Sequence, residues 1–170
     1  DWESNSVSAD VDFSGNEIDA TIYIEDGDIN FDKKNYTLTS ESPAFTYVAS
    51  RDIEPWSEHN PKLYNLVIDV SQNGKLVDRF TQQFGFRTFK AGFRNFSING
   101  EDTYLRGKHD GLIFPLTGYA PMDVEDWLKV MQTAKDYGIN HYRFHTCCPP
   151  RAAFIAADLL GIYMQPELPF

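Results

Sequence analysis

Three short stretches gather side chains that could do chemistry: Arg106-Gly107-Lys108-His109-Asp110, His141-Tyr142-Arg143-Phe144-His145 and Gln165-Pro166-Glu167. Guanidinium, imidazole and carboxylate groups can bind polar ligands, move protons or hold a metal. Asp110 and Glu167 could form a carboxylate pair. His141 and His145 share one strand parity and could ligate a metal with Asp110 or a cysteine thiolate, although no zinc-type spacing is present. Arg143 could equally be a structural ion-pair partner of Glu167 or Asp110. The two cysteines, Cys147 and Cys148, are adjacent and cannot build a disulfide framework. They read as packed loop residues, because no helper arrangement for a nucleophile is visible. Lys108 reads as a solvated charge.

The elements that position these groups follow from periodicity. In residues 138–150, Tyr142 and Phe144 alternate with His141, Arg143 and His145, the period of two of a short strand. The aromatic pair should pack against helices, leaving the arginine and histidines on the opposite face. Asp123 is a good N-cap, and Val124, Trp127, Leu128, Met131 and Ala134 fall at helical spacing up to Tyr137, where Gly138 closes the helix. Pro150 suits the first turn of a second helix through Ala152, Phe154, Ile155 and Leu159, ending at Gly161. A further strand spans residues 162–165. Strand and helix alternate, so the sheet is parallel, and each polar cluster lies at the carboxyl end of its strand. Parallel α/β folds bind ligands at that edge.

Upstream, residues 6–89 read as short strands with turns between them. Val7, Ala9, Val11 and Phe13 alternate with polar residues, as do Ile18, Ala20, Ile22 and Ile24. Tyr36 with Leu38, and Phe45 with Tyr47, mark two more strands. Residues 63–70 and 76–84 flank Asn73-Gly74, suited to a type I′ hairpin turn. This spacing predicts an antiparallel β-sandwich. A second hairpin, residues 93–98 and 103–106, is joined at Asn99-Gly100. Between the fourth and fifth strands, Pro55 and Pro61 bracket Trp56, which reads as a plug at the end of the sandwich rather than a sugar-stacking platform. The expected division is a sandwich over residues 1–90 and a βα part over residues 91–170.

The 170 residues are 42% hydrophobic, which supports a packed core. A net charge of −10 argues against a nucleic-acid partner. No run approaches the roughly 18 apolar residues of a membrane span. The chain opens at Asp1-Trp2 without a methionine or a signal peptide, and is expected to be cut from a longer polypeptide or processed.

The ordered series Gly85-Phe86-Arg87, Phe96-Ser97-Ile98-Asn99-Gly100 and Leu105-Arg106-Gly107 with His109-Asp110 resembles glycoside hydrolase family 2. Trp56-Ser57 with Pro61-Lys62-Leu63-Tyr64 upstream, and Tyr137-Gly138-Ile139-Asn140 with Leu160-Gly161-Ile162-Tyr163 and Glu167 downstream, extend it over nearly the whole chain. The resemblance implies an immunoglobulin-like sandwich followed by the first three βα units of a (β/α)8 barrel. It implies a retaining, exo-acting hydrolase of β-linked sugars, β-galactosidase-like, with an oligo- or polysaccharide substrate; no cofactor is expected, and the missing zinc-type spacing leaves no metal expected either. His109, Asp110, Arg143, His145 and Glu167 would surround the terminal sugar. Here Lys108 alone separates the arginine-glycine from His109-Asp110, and Arg143-Phe144-His145-Thr146-Cys147-Cys148 stands where the family has Arg-x-Ser-His-Tyr-Pro, so galactose specificity does not follow automatically. The family's acid/base and nucleophile glutamates, on the fourth and seventh strands, have no counterpart. A full barrel takes about 250 residues, so this chain should be inactive alone and should self-associate through an open sheet edge. A periplasmic or extracellular parent is the compartment such a glycan-degrading role favours. A non-catalytic carbohydrate-binding sandwich and a small metallo-hydrolase are the alternatives.

Overall fold

A computed structural model describes residues 2–169. They are mostly β, with two helices among them, and the chain divides into two compact units: Asp1–Pro55 with Leu63–Arg87, and Trp56–Lys62 with Thr88–Phe170.

The first unit is wholly antiparallel. Its strands are β1 (Ser6–Asp10), β2 (Glu17–Asp26), β3 (Ile29–Asn30), β4 (Lys34–Thr39), β5 (Ala44–Val48), β6 (Tyr64–Gln72) and β7 (Lys75–Phe84). The larger sheet runs β3-β2-β6-β7 with β4 also on β2, while β1 and β5 form a two-stranded sheet. The alternation of β2 places Ala20, Ile22 and Ile24 in the core opposite Val70, Ile68 and Leu66 of β6. From the other layer come Phe45 and Tyr47. Asn73 and Gly74 both have positive φ, 52° and 73°, as a type I′ turn between β6 and β7 requires.

The second unit holds β8 (Phe89–Ala91), β9 (Phe96–Ile98) and β10 (Glu101–Thr103) in one antiparallel sheet, then β11 (Gly107–Asp110), α1 (Val124–Asp136), β12 (His141–Phe144), α2 (Arg151–Leu160) and β13 (Tyr163–Pro166). The hairpin expected at Asn99-Gly100 is present, but its strands are shorter than the spacing suggested, and β11 begins separately after Arg106. Strands β11, β12 and β13 pair in parallel in that order.

Asp123 caps α1, its Oδ1 accepting from the Asp126 amide at 2.9 Å. Trp127 and Met131 of this helix are fully buried with Tyr142 and Phe144 of β12, so the aromatic face of β12 does meet the helices. Pro150 is the N-cap of α2 rather than its first helical residue. That helix buries Ala152, Ala153, Ala156 and Ala157, whereas Phe154, Ile155 and Leu159 are not in the core. Small side chains bring the helix close to its neighbours, and the bulky ones have no room on that face.

Trp56 is buried as expected, but within the second unit. Its Nε1 donates to the Asp158 carbonyl at 2.8 Å, and its ring packs edge-on against Tyr163 at 5.7 Å.

Candidate functional site

Strand register decides which polar side chains meet. His109 of β11, Arg143 of β12 and Gln165 of β13 are directly paired across the parallel sheet. Their neighbours Lys108, Tyr142 and Met164 form the adjoining row, and Tyr142 and Phe144 are the residues under the helices. Side chains alternate along a strand, so His109 and Arg143 lie on the face away from α1 and α2.

Just past the strand ends the row becomes a cluster. Glu167, one residue after β13, accepts from Arg143 Nε at 2.7 Å on Oε1, with Arg143 Nη2 at 2.6 Å from the same oxygen. Its Oε2 lies 2.9 Å from the Thr146 amide, which donates to it, and 3.2 Å from His145 Nδ1. The Thr146 amide, then His145 and Arg143, hold this carboxyl down to about 2. Thr146 has φ +56°, a conformation that turns its amide toward Glu167. The Glu167 amide donates in turn to the Cys147 carbonyl at 3.1 Å, tying the two strand ends together. The His109 and His145 rings pack 5.0 Å apart at 55°.

The structure thus brings together four of the five candidate residues: His109, Arg143, His145 and Glu167. Asp110 is elsewhere. It is paired with Phe144 in register, on the helix side, where it is buried and receives Lys108 Nζ on Oδ2 and the Leu112 amide, at 2.8 Å, on Oδ1. Lys108, read as a solvated charge, is therefore ion-paired, and it also stands 4.8 Å from the Tyr142 ring centroid. His141 begins β12 on the same face as Arg143. Burial lowers its pKa, opposed by a hydrogen bond with Gln165. Gly107 lies opposite it, and a Cβ there would come within 2.8 Å of His141 Nδ1, so the ring occupies the space that glycine leaves.

Among the described residues there is no group of three or more His, Cys, Asp or Glu side chains placed to hold a metal. Both cysteines are unbridged, and burial raises the Cys147 thiol. No helix among the described residues is long and apolar enough to cross a membrane.

Sequence reasoning missed the fixing of the opposite, amino-terminal strand ends. Asn140, immediately before β12, is buried; its Oδ1 accepts from the Arg106 amide at 2.7 Å, and its Nδ2 donates to the Tyr104 carbonyl at 3.0 Å and to Glu58. Its own carbonyl accepts from the Tyr163 amide at 2.8 Å. Lys135 of α1 donates to the Glu58 and Leu160 carbonyls. One amide side chain and one inserted loop, Trp56–Lys62, thereby hold the starts of all three parallel strands. Gly161, in the left-handed region at φ +74°, is where that loop approaches α2; a Cβ there would lie 2.8 Å from the Glu58 backbone.

Residues 1–87 match the profile of Glycosyl hydrolases family 2. The chain is 28% identical over 173 aligned positions to the β-galactosidase large subunit of Lactobacillus acidophilus, covering 98% of this chain and 27% of that protein. It is 33% identical over 118 positions to a β-galactosidase of Psychromonas ingrahamii, covering 66% of this chain and 11% of that one. The β-glucuronidase 3 structure of Bacteroides uniformis superposes with a TM-score of 0.73 at 26% identity, covering 100% of this chain and 21% of that chain. The chain therefore spans about a quarter or less of the length of these relatives. On the match over residues 1–87, the chain belongs to glycosyl hydrolase family 2.

Proposed function

We propose that residues 1–170 are a segment of a longer β-glycoside hydrolase: an immunoglobulin-like sandwich over residues 1–90, apart from Trp56–Lys62 and the residues from Thr88, which fold with the second unit, and the first three βα units of a (β/α)8 barrel over residues 91–170. The parent is a retaining, exo-acting enzyme of β-galactosidase type acting on an oligo- or polysaccharide. The observation that carries this reading is the cluster of His109, Arg143, His145 and Glu167 at the carboxyl edge of a parallel sheet in a family 2 chain. There Arg143 and the imidazoles orient sugar hydroxyls, and Glu167 fixes the positions of Arg143 and His145. Asp110, on the helix side, shapes the exit of β11 instead.

The same geometry supports leaving the reaction's acid and nucleophile to other strands. A carboxyl held to about 2 has no proton to give near neutral pH, so Glu167 cannot protonate a leaving oxygen. Its lone pairs are already taken by Arg143, Thr146 and His145. Asp110 lies on the other face, and a retaining pair must stand about 5 Å apart across one glycosidic bond. The carbohydrate-binding alternative loses its stacking residue, since Trp56 is buried.

The test is hydrolysis of aryl β-galactosides and aryl β-glucuronides by chain 1–170 and by its full-length parent. We expect turnover by the parent alone, with Arg143→Ala in the parent lowering kcat/KM by about 10²-fold. Hydrolysis by chain 1–170 that disappears in Glu167→Gln would overturn this assignment.

A further inference from the structure

We infer that the first unit carries a docking groove for one additional β-strand, supplied by the parent polypeptide from outside residues 1–170. This rests on the reading of the chain as a segment of a longer hydrolase. The groove measures about 1100 Å³ and lies between Ala9–Phe13, at and just beyond the end of β1, and the core-facing side of β6 and β7. It is larger than the roughly 300–1,000 Å³ of a small-molecule pocket and open along its length, as an extended peptide requires.

Three observations say what fills it. The first is an uncovered roof. Phe80 of β7 is paired in register with Ile68, yet Ile68 is 5% exposed and Phe80 is 55% exposed. Val7 and Ala9 of β1 and Phe45 and Tyr47 of β5 pack in one cluster with Leu66 and Ile68 of β6, whereas residues 75–83 of β7 are all exposed. The second is hydrogen bonding. Over Val7–Asp10, β1 pairs only with β5 among the described residues, so its outer edge presents backbone donors and acceptors beside the groove. A strand added there, about 4.8 Å further out, would lie over Phe80 and Val77. The third is charge. Asp10, Asp12, Glu17, Asp19 and Asp78 line the groove, and no lysine or arginine does. The occupant is accordingly a strand with apolar residues at every second position, facing Ile68 and Phe80, and lysine or arginine near its ends.

Amide hydrogen exchange compares the parent with chain 1–170, both at low micromolar concentration. We expect the β1 amides turned away from β5 to exchange on the order of 100-fold more slowly in the parent. Equal exchange in the two proteins overturns the proposal. So does protection in chain 1–170 that grows with its concentration, which would make a second copy the occupant. Phe80→Lys gives an independent readout: it should lower the Tm of the parent and leave that of chain 1–170 unchanged, and an equal effect on both would count against the added strand. Hydrolysis measured on the same parent preparation separates the two readings, since an active parent without β1 protection fails only the groove, and an inactive parent with it fails only the enzyme assignment.

Discussion

Replacing Asn140 by alanine removes three side-chain hydrogen bonds at once, with the Arg106 amide, the Tyr104 carbonyl and the Glu58 carboxylate. Two of those bonds are neutral, to the Arg106 amide and the Tyr104 carbonyl, and are worth about 0.5–1.5 kcal/mol each; the third ends on the Glu58 carboxylate and is worth about 1.5–3 kcal/mol. Water cannot readily replace them, because Asn140 is only 3% exposed. The expected loss is therefore about 3–5 kcal/mol, a large part of the roughly 5–15 kcal/mol by which a domain is stable. At about 2–4 °C per kcal/mol for a chain of this length, the thermal midpoint should fall by roughly 6–20 °C. Urea denaturation of Asn140→Ala, Glu58→Gln and the double variant gives the coupling directly. The two side chains share a bond, so their effects should fall short of additive by more than about 0.5 kcal/mol. A loss under about 1 kcal/mol for Asn140→Ala, or strict additivity with Glu58→Gln, would refute the idea that this amide fastens Trp56–Lys62 to the parallel strands.

Phe144→Ala, at a fully buried site against Trp127, should cost about 3–5 kcal/mol in the same denaturation assay. Gly107→Ala should cost about 1–3 kcal/mol and shift the His141 ring resonances, since the new methyl needs space the imidazole holds. Glu167 is ionised more readily folded than unfolded, so its contribution to stability is complete above its ordinary value of 4.5 and is lost as pH falls toward about 2. A carbon-detected titration of its carboxyl should show a midpoint near 2, and Arg143→Ala should move that midpoint upward; a midpoint near 4.5 in the unaltered chain would contradict the geometry. Light scattering at micromolar concentration should find chain 1–170 self-associated through the open edges of the parallel sheet β11-β12-β13, and a monodisperse monomer would argue against that.

What could be read from sequence divides along the range of the interactions. The capping of α1 by Asp123, the Asn-Gly hairpins and the burial of Tyr142 and Phe144 depend on residues a few positions apart, and periodicity reports them well. The cluster was legible in its members at strand ends, but Asp110 needed the register of β11 against β12. His109 pairs with Arg143 and Asp110 with Phe144, and a shift of one residue would have exchanged the two. The covered face of α2 was misjudged for a related reason. Hydrophobicity favours Phe154 and Ile155, whereas close approach of the helix to its neighbours selects the four alanines by volume. Least legible was Trp56–Lys62, which sits in sequence between strands of the first unit and folds with the second. Glu58 reaches Asn140 across 82 positions and Trp56 reaches Asp158 across 102, and no local pattern encodes such pairings. Yet this loop, through Asn140 and Gly161, holds the amino-terminal ends of the strands whose carboxyl ends carry His109, Arg143 and Glu167. An altered cluster need not begin with an altered cluster residue: loosening the Asn140 side chain frees the start of β11 against β12, and the pairing of His109 with Arg143 depends on that register.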